Sequence, residues 1–224
     1  AAPFSRNHFR LGLARAARTR LFGATHHPWM FQVSLSCGTV ATDSEIISNQ
    51  PNCGDSTWNG DSIETFIAPG EADPTAWMEM DVSAAGGMYF AAIHGQHGYG
   101  GATRVSNPIE GGGPCQIDGV EYSASQTTDS LGQPAYRVEL QVAWRLFYNM
   151  EEFTDELAAY PQHPPRVWRA NFYRTNFFST GQRNPTDYYA WHQSVLLGQN
   201  AAFHKPDEFG VLRLVDSASS GGGH

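Results

Sequence analysis

Val167-Trp-Arg-Ala-Asn-Phe-Tyr-Arg174, Tyr188-Tyr-Ala-Trp-His192 and Phe203-His-Lys-Pro-Asp-Glu-Phe-Gly-Val-Leu-Arg-Leu214 alternate apolar with polar residues and are crowded with aromatics. Alternation at period two is the mark of a strand with one face buried. Rings interleaved with Arg, Asn and His are also the side chains a sugar site needs, so the same stretch speaks to fold and to function. Working outward, the cleanest alternation is Tyr136-Arg-Val-Glu-Leu-Gln-Val142, and Phe31 to Ser36, Asp61 to Ile67, Ala76 to Val82 and Val120 to Gln126 follow the same rule. Met88 to Ile93 comes directly after Gly86-Gly87, a hairpin signal. Phe147 to Ala159 is the one stretch with helical character, with Thr154 as a cap for a shorter turn. About nine or ten short strands, one short helix and no alternation of strands with helices describe an all-β fold, an antiparallel β-sandwich with long loops.

Composition agrees. Of 224 residues, 41% are hydrophobic and 12% aromatic, enough for a core, and 23 Gly and 13 Pro suit many turns. No apolar run reaches the roughly 18 residues of a membrane-spanning helix. No composition shift divides the middle, so residues 26–216 read as one sandwich. Residues 1–25 read as a basic N-terminal arm or first strand, and residues 217–224 as a disordered Ser/Gly tail. Residues 1–42 hold five arginines and no acid, in a chain with 14 basic and 22 acidic residues. The acidic body excludes nucleic acid as the expected partner. The Arg-rich head fits either a targeting remnant or a first strand with a surface arm, and the Ala-Ala-Pro start reads as a processed product. His94 to Gly119, with Gly-Tyr-Gly-Gly and Gly-Gly-Gly-Pro, reads as a long loop holding one short strand at most.

Cys37, Cys53 and Cys115 lack the CxxC spacing of a zinc site. Either one disulfide and one free thiol, with Cys37–Cys53 closing a short loop, or three buried thiols satisfies the count.

Several runs in order carry a resemblance: Trp58-Asn-Gly-Asp-Ser-Ile-Glu-Thr-Phe-Ile67, the Tyr136 strand, Trp168-Arg-Ala-Asn-Phe-Tyr-Arg174, and Phe203-His-Lys-Pro-Asp-Glu-Phe-Gly210. Together they resemble the carbohydrate-binding module family 9-like domains of the DOMON-like group, over roughly Phe31 to Leu214. The resemblance implies an extracellular or periplasmic β-sandwich that binds carbohydrate without cleaving it, as a module that can belong to a larger protein. It implies that a sugar lies between Trp58 and a late aromatic, Trp191 or Phe203, with Glu64 and Arg174 at its hydroxyls and His204 nearby. Aromatic rings cover the apolar faces of a pyranose, and charged groups grip its hydroxyl rim. The family's Arg in the strand Ala76 to Met88 has no counterpart here.

Each residue has a structural alternative. Glu64 can pair with Arg169 or Arg174 across the sandwich, Trp168 and Phe172 fit a core, and His204 fits a hydrogen-bonded turn. A sandwich that serves only protein interaction is the second functional reading. A haem or metal binder is the third, resting on His94-x-x-His97, His26-His27 and Met78, Met80 and Met88. A structural calcium is compatible with the abundant Asp and Glu, although no EF-hand loop is present. No Gly-x-Ser-x-Gly, Walker loop or His-Glu-x-x-His occurs. Asp61 and Glu64, three apart on one strand, face opposite ways and cannot act as a catalytic pair.

Overall fold

The computed structural model describes residues 8–14, 30–38, 46–95, 101–104, 113–128, 132, 134–143, 145–161, 164–177, 187–192 and 203–213. The tail from 217 onward and the N-terminal residues flanking 8–14 lie outside them. Eleven strands among these residues form two sheets, and every strand pairing is antiparallel. The smaller sheet runs in the order β1 (His8–Ala14), β2 (Met30–Gly38), β8 (Pro134–Ala143), β7 (Val120–Thr128). The larger runs β10 (Asp187–Ala190), β9 (Val167–Asn176), β3 (Ser62–Pro69), β4 (Ala76–Ser83), β5 (Met88–His94), β6 (Gly101–Arg104). A short β11 (Gly210–Arg213) also pairs with β9. The sheet thus begins at His8, ahead of residue 26.

Alternation builds the core as expected. Val138, Leu140 and Val142 of β8 meet Ile63, Ile67, Met78, Met80, Val82, Phe90, Trp168 and Phe172 of the larger sheet. Trp168 and Phe172 are therefore core. So are Met78, Met80 and Met88, whose thioethers are packing atoms rather than ligands to a haem. The Gly86-Gly87 signal is a hairpin between β4 and β5. Gly86 has φ +94°, and a Cβ on Gly87 would come within 2.2 Å of the Gln50 carbonyl oxygen. Only glycine fits both demands.

The helix expected over Phe147 to Ala159 is broken. It forms α1 (Arg145–Tyr148), a 3-10 turn at Glu151–Phe153 and α2 (Thr154–Leu157), separated by Met150 in extended conformation. On a continuous helix Phe147 and Phe153 would point about 120° apart. The break lets both enter one core, their centroids 5.1 Å apart and Phe147 5.3 Å from Trp168.

The cysteine pairing also differs from the Cys37–Cys53 loop. Cys53 bonds Cys115, with Cα atoms 4.5 Å apart. Cys37 lies in β2 of the smaller sheet, in register with Tyr136. Cys53 instead bridges to Met88 of the larger sheet, and its amide donates to Gly113 O at 2.7 Å, two residues before Cys115. The bond closes a loop of 62 residues that contains β3 to β6. A cross-link over a loop of that length stabilises by about 4 kcal/mol through the unfolded chain. The double variant Cys53→Ser/Cys115→Ser is expected to lose about 2–4 kcal/mol in urea unfolding.

Candidate functional site

Every residue of β3 and β4 is buried, so both faces of these strands are covered. One face is the sandwich core. The other is a second apolar cluster of Phe66, Ala68, Trp77, Tyr89, Ala91, Ile93, Tyr173 and Phe209, with Phe203 packed against it. Residues paired across a sheet share a face, so the register places Tyr89, Asp81, Glu64 and Tyr173 in one row over β5, β4, β3 and β9. The next row holds Ala91, Glu79, Phe66 and Asn171. Three carboxyls, Glu64, Glu79 and Asp81, thereby sit together on a face otherwise apolar, each at most 6% exposed.

Aromatic rings stand at both ends of the first row. Trp58, on the 3-10 turn Thr57–Asn59, is 39% exposed and meets Tyr89 edge-on at 5.1 Å. At the other end Phe203 stacks on Tyr173 at 4.1 Å, the planes 16° apart. Tyr89 and Tyr173 are three strand spacings apart, roughly 14 Å. His204 tilts over Phe66 at 5.2 Å and lies 6.0 Å from Trp77, with Nε2 4.0 Å from Glu79 Oε1.

The electrostatics follow from burial. Desolvation pushes Glu64 up to about 8, and the neighbouring Glu79 charge adds to it. Desolvation also raises Glu79 to about 7, opposed by hydrogen bonding with Asp81. Asp81 is raised well above the carboxylate range by desolvation, then by the charges of Glu79 and Glu64. Burial lowers His204. Glu64 Oε1 and both Asp81 oxygens lack a hydrogen bond of good geometry. The Glu79–Asp81 contact that shifts both groups is therefore a close approach rather than a well-aligned bond.

The expected site residues divide between the two faces. Trp58, Glu64, Phe203 and His204 converge on the acidic face. Trp191 does not: it packs on Phe172 at 5.5 Å, against the sandwich core. Between the two late aromatics, the structure puts Phe203 with Glu64. Arg174 also lies on the other face, because it is in register with Ile63. There its guanidinium bonds Asn176 and sits 5.9 Å from the Tyr136 ring. Asp61 belongs to that interior network, accepting from the amides of Ile47 at 2.9 Å and Phe177 at 2.8 Å. Glu64 consequently pairs with neither arginine considered for it. Arg169 reaches Asp73 at 3.2 Å and the Asp207 carbonyl at 2.9 Å. Asn171 is structural. Its side chain accepts from the His192 amide at 3.0 Å and donates to the Tyr173 hydroxyl at 3.0 Å.

Glu79, Asp81, Tyr89 and Tyr173 are additions that the sequence did not single out. Their signal was the spacing of Trp77, Glu79 and Asp81 at every second residue, which assigns them one face. Among the described residues no group of three or more His, Cys, Asp or Glu is disposed to hold a metal ion. His97, His26 and His27 lie outside the described residues.

No family model matches the chain, and no curated protein matches it. A solved structure described as a "putative carbohydrate-binding protein" from Bacteroides uniformis is similar over 83% of this chain and 73% of that one, with a TM-score of 0.51 at 14% identity. At that identity the likeness is one of fold, and it agrees with the sandwich.

The buried acids set a pH dependence of stability. Their folded pKa values exceed the unfolded ones, so the folded state holds more protons and stability falls as pH rises. The loss begins above the ordinary value of 4.5 and continues through about 7 to 8. His204, lowered by burial, acts oppositely, its contribution lost as pH falls below its ordinary value. The melting temperature is expected to decline between about pH 5 and pH 9. Glu64→Gln/Asp81→Asn should flatten the decline; an unchanged slope would contradict the assignment.

Proposed function

We propose that the chain is a non-catalytic carbohydrate-binding module of the family 9-like, DOMON-like kind, acting outside the cytoplasm, and that the acidic face is its sugar site. The observation that carries this reading is the row Tyr89–Asp81–Glu64–Tyr173, flanked by Trp58 and Phe203. Ring faces at each end supply apolar cover for the C–H faces of a mono- or disaccharide or a polysaccharide end. The carboxyls between them offer hydroxyl acceptors, and in protonated form donors as well. The sandwich shared with the Bacteroides uniformis protein supports the same reading at the level of fold. The Cys53–Cys115 bond suits an oxidising compartment.

A binding role fits these carboxyls better than a hydrolytic one. Glycoside cleavage needs one carboxyl kept protonated and another ionised, by environments that push them apart. Here burial moves Glu64, Glu79 and Asp81 in the same direction. The competing reading, a protein-interaction sandwich without a sugar site, draws on the near-complete burial of Glu64 and Asp81.

Titration with glucose, cellobiose, xylose and galactose, followed by calorimetry and tryptophan fluorescence, separates the two. A saturable response is expected. Trp58→Ala and Glu64→Gln should each weaken it at least about fivefold, as loss of a stacking ring or a charge-assisted hydrogen bond does. Silence toward all four sugars and on a glycan array selects the interaction module.

A further inference from the structure

The segment Phe203–Phe209 lies over the acidic face as a cover. Phe203 stacks on Tyr173, His204 rests on Phe66, and Phe209 meets Trp77 at 5.9 Å and Phe66 at 6.0 Å. The polar ties from the sheet side end largely on its carbonyls. Tyr173 Oη donates to Phe203 O at 3.3 Å, Arg169 donates to Asp207 O at 2.9 Å and to Pro206 O at 3.4 Å, and His192 Nδ1 meets Glu208 O at 2.9 Å. Two of its amides are satisfied within the segment, Glu208 to Lys205 O and Phe209 to Pro206 O. The cover can therefore lift with its own turn intact.

We propose that Phe203–Phe209 is a proton-controlled cover over the acidic face, closed while Glu64, Glu79 and Asp81 are neutral and displaced when they ionise. That displacement opens a ligand site rests on the carbohydrate reading; the movement itself does not. Two observations carry it. The three carboxyls share the face on which this segment packs, Glu79 within 4.0 Å of His204, and the oxygens of Glu64 and Asp81 noted above have no well-formed hydrogen bond. A buried carboxylate without donors is strongly disfavoured, and water is the nearest remedy.

The charges around the trio point the same way. From β3 comes Glu64 itself, and from β4 Glu79 and Asp81. β5 contributes the Tyr89 hydroxyl, and β9 the Tyr173 hydroxyl and Arg169, the latter engaged with Asp73 and the cover's carbonyls. On the cover, Lys205 pairs with Glu208 at 3.3 Å, and Asp207 adds a further negative charge. His204 is the one cover group near the trio able to become a cation, and its burial disfavours that. Ionisation of the trio thus sets negative charge beneath a segment that is itself net acidic.

Hydrogen exchange measured by mass spectrometry, without sugar, tests this at about pH 6 and about pH 9, after correction for intrinsic rates. Peptides covering Phe203–Phe209 are expected to accelerate at the higher pH by about tenfold or more beyond any change in β3 and β9. The response should vanish in Glu64→Gln/Glu79→Gln/Asp81→Asn. Should that triple variant not fold, Glu79→Gln and Asp81→Asn alone should each reduce it. No wild-type change, an equal change in the variants, or an acceleration spread evenly through β3 and β9 overturns the cover. Silent sugar titrations with a positive exchange result would leave the cover standing and remove only its ligand.

Discussion

Burial on both faces of β3 and β4 is the constraint from which the rest of the molecule follows. A strand covered on one side can turn its polar residues to water. A strand covered on both cannot, and each Asp or Glu it carries must find a donor, stay neutral, or be uncovered. The two faces resolve this differently. Toward the smaller sheet, Asp61 takes two backbone amides and Arg174 lies beside it. On the outer face Glu64, Glu79 and Asp81 have one another and little else.

The same contrast separates structure from function among residues of one type. Arg174 and Glu64 are one strand apart and both buried, yet they never meet, since adjacent positions across the β3–β9 pairing alternate faces. Arg174 holds the end of the sandwich together. One oxygen of Glu64 has no hydrogen bond, and a buried polar atom in that state calls for an explanation.

Much of the architecture was legible because period-two alternation reports a buried face directly. The Tyr136 and Val167 runs, the Gly86-Gly87 hairpin and the core positions of Trp168 and Phe172 all follow from it. Trp58, Glu64, Phe203 and His204 fall on one face. What stayed hidden depended on contacts distant in sequence. Alternation in Ala76 to Val82 assigns Glu79 and Asp81 to one face but cannot say that a segment more than a hundred residues later covers it. Nor could spacing reveal that Cys53 belongs beside Met88 rather than beside β2. The broken helix has the same cause: Phe147 and Phe153 both had to reach the core, and the backbone yielded.

The edge of the larger sheet beyond β9 is laid in two pieces, β10 against Tyr173 to Asn176 and β11 against Val167 to Ala170. Between them Phe172 O takes the amide of Trp191, and the Asn171 side chain clasps both backbone groups of His192. β10 and β11 therefore meet β9 as two separate pairings, and the backbone bonds of either can open while those of the other persist.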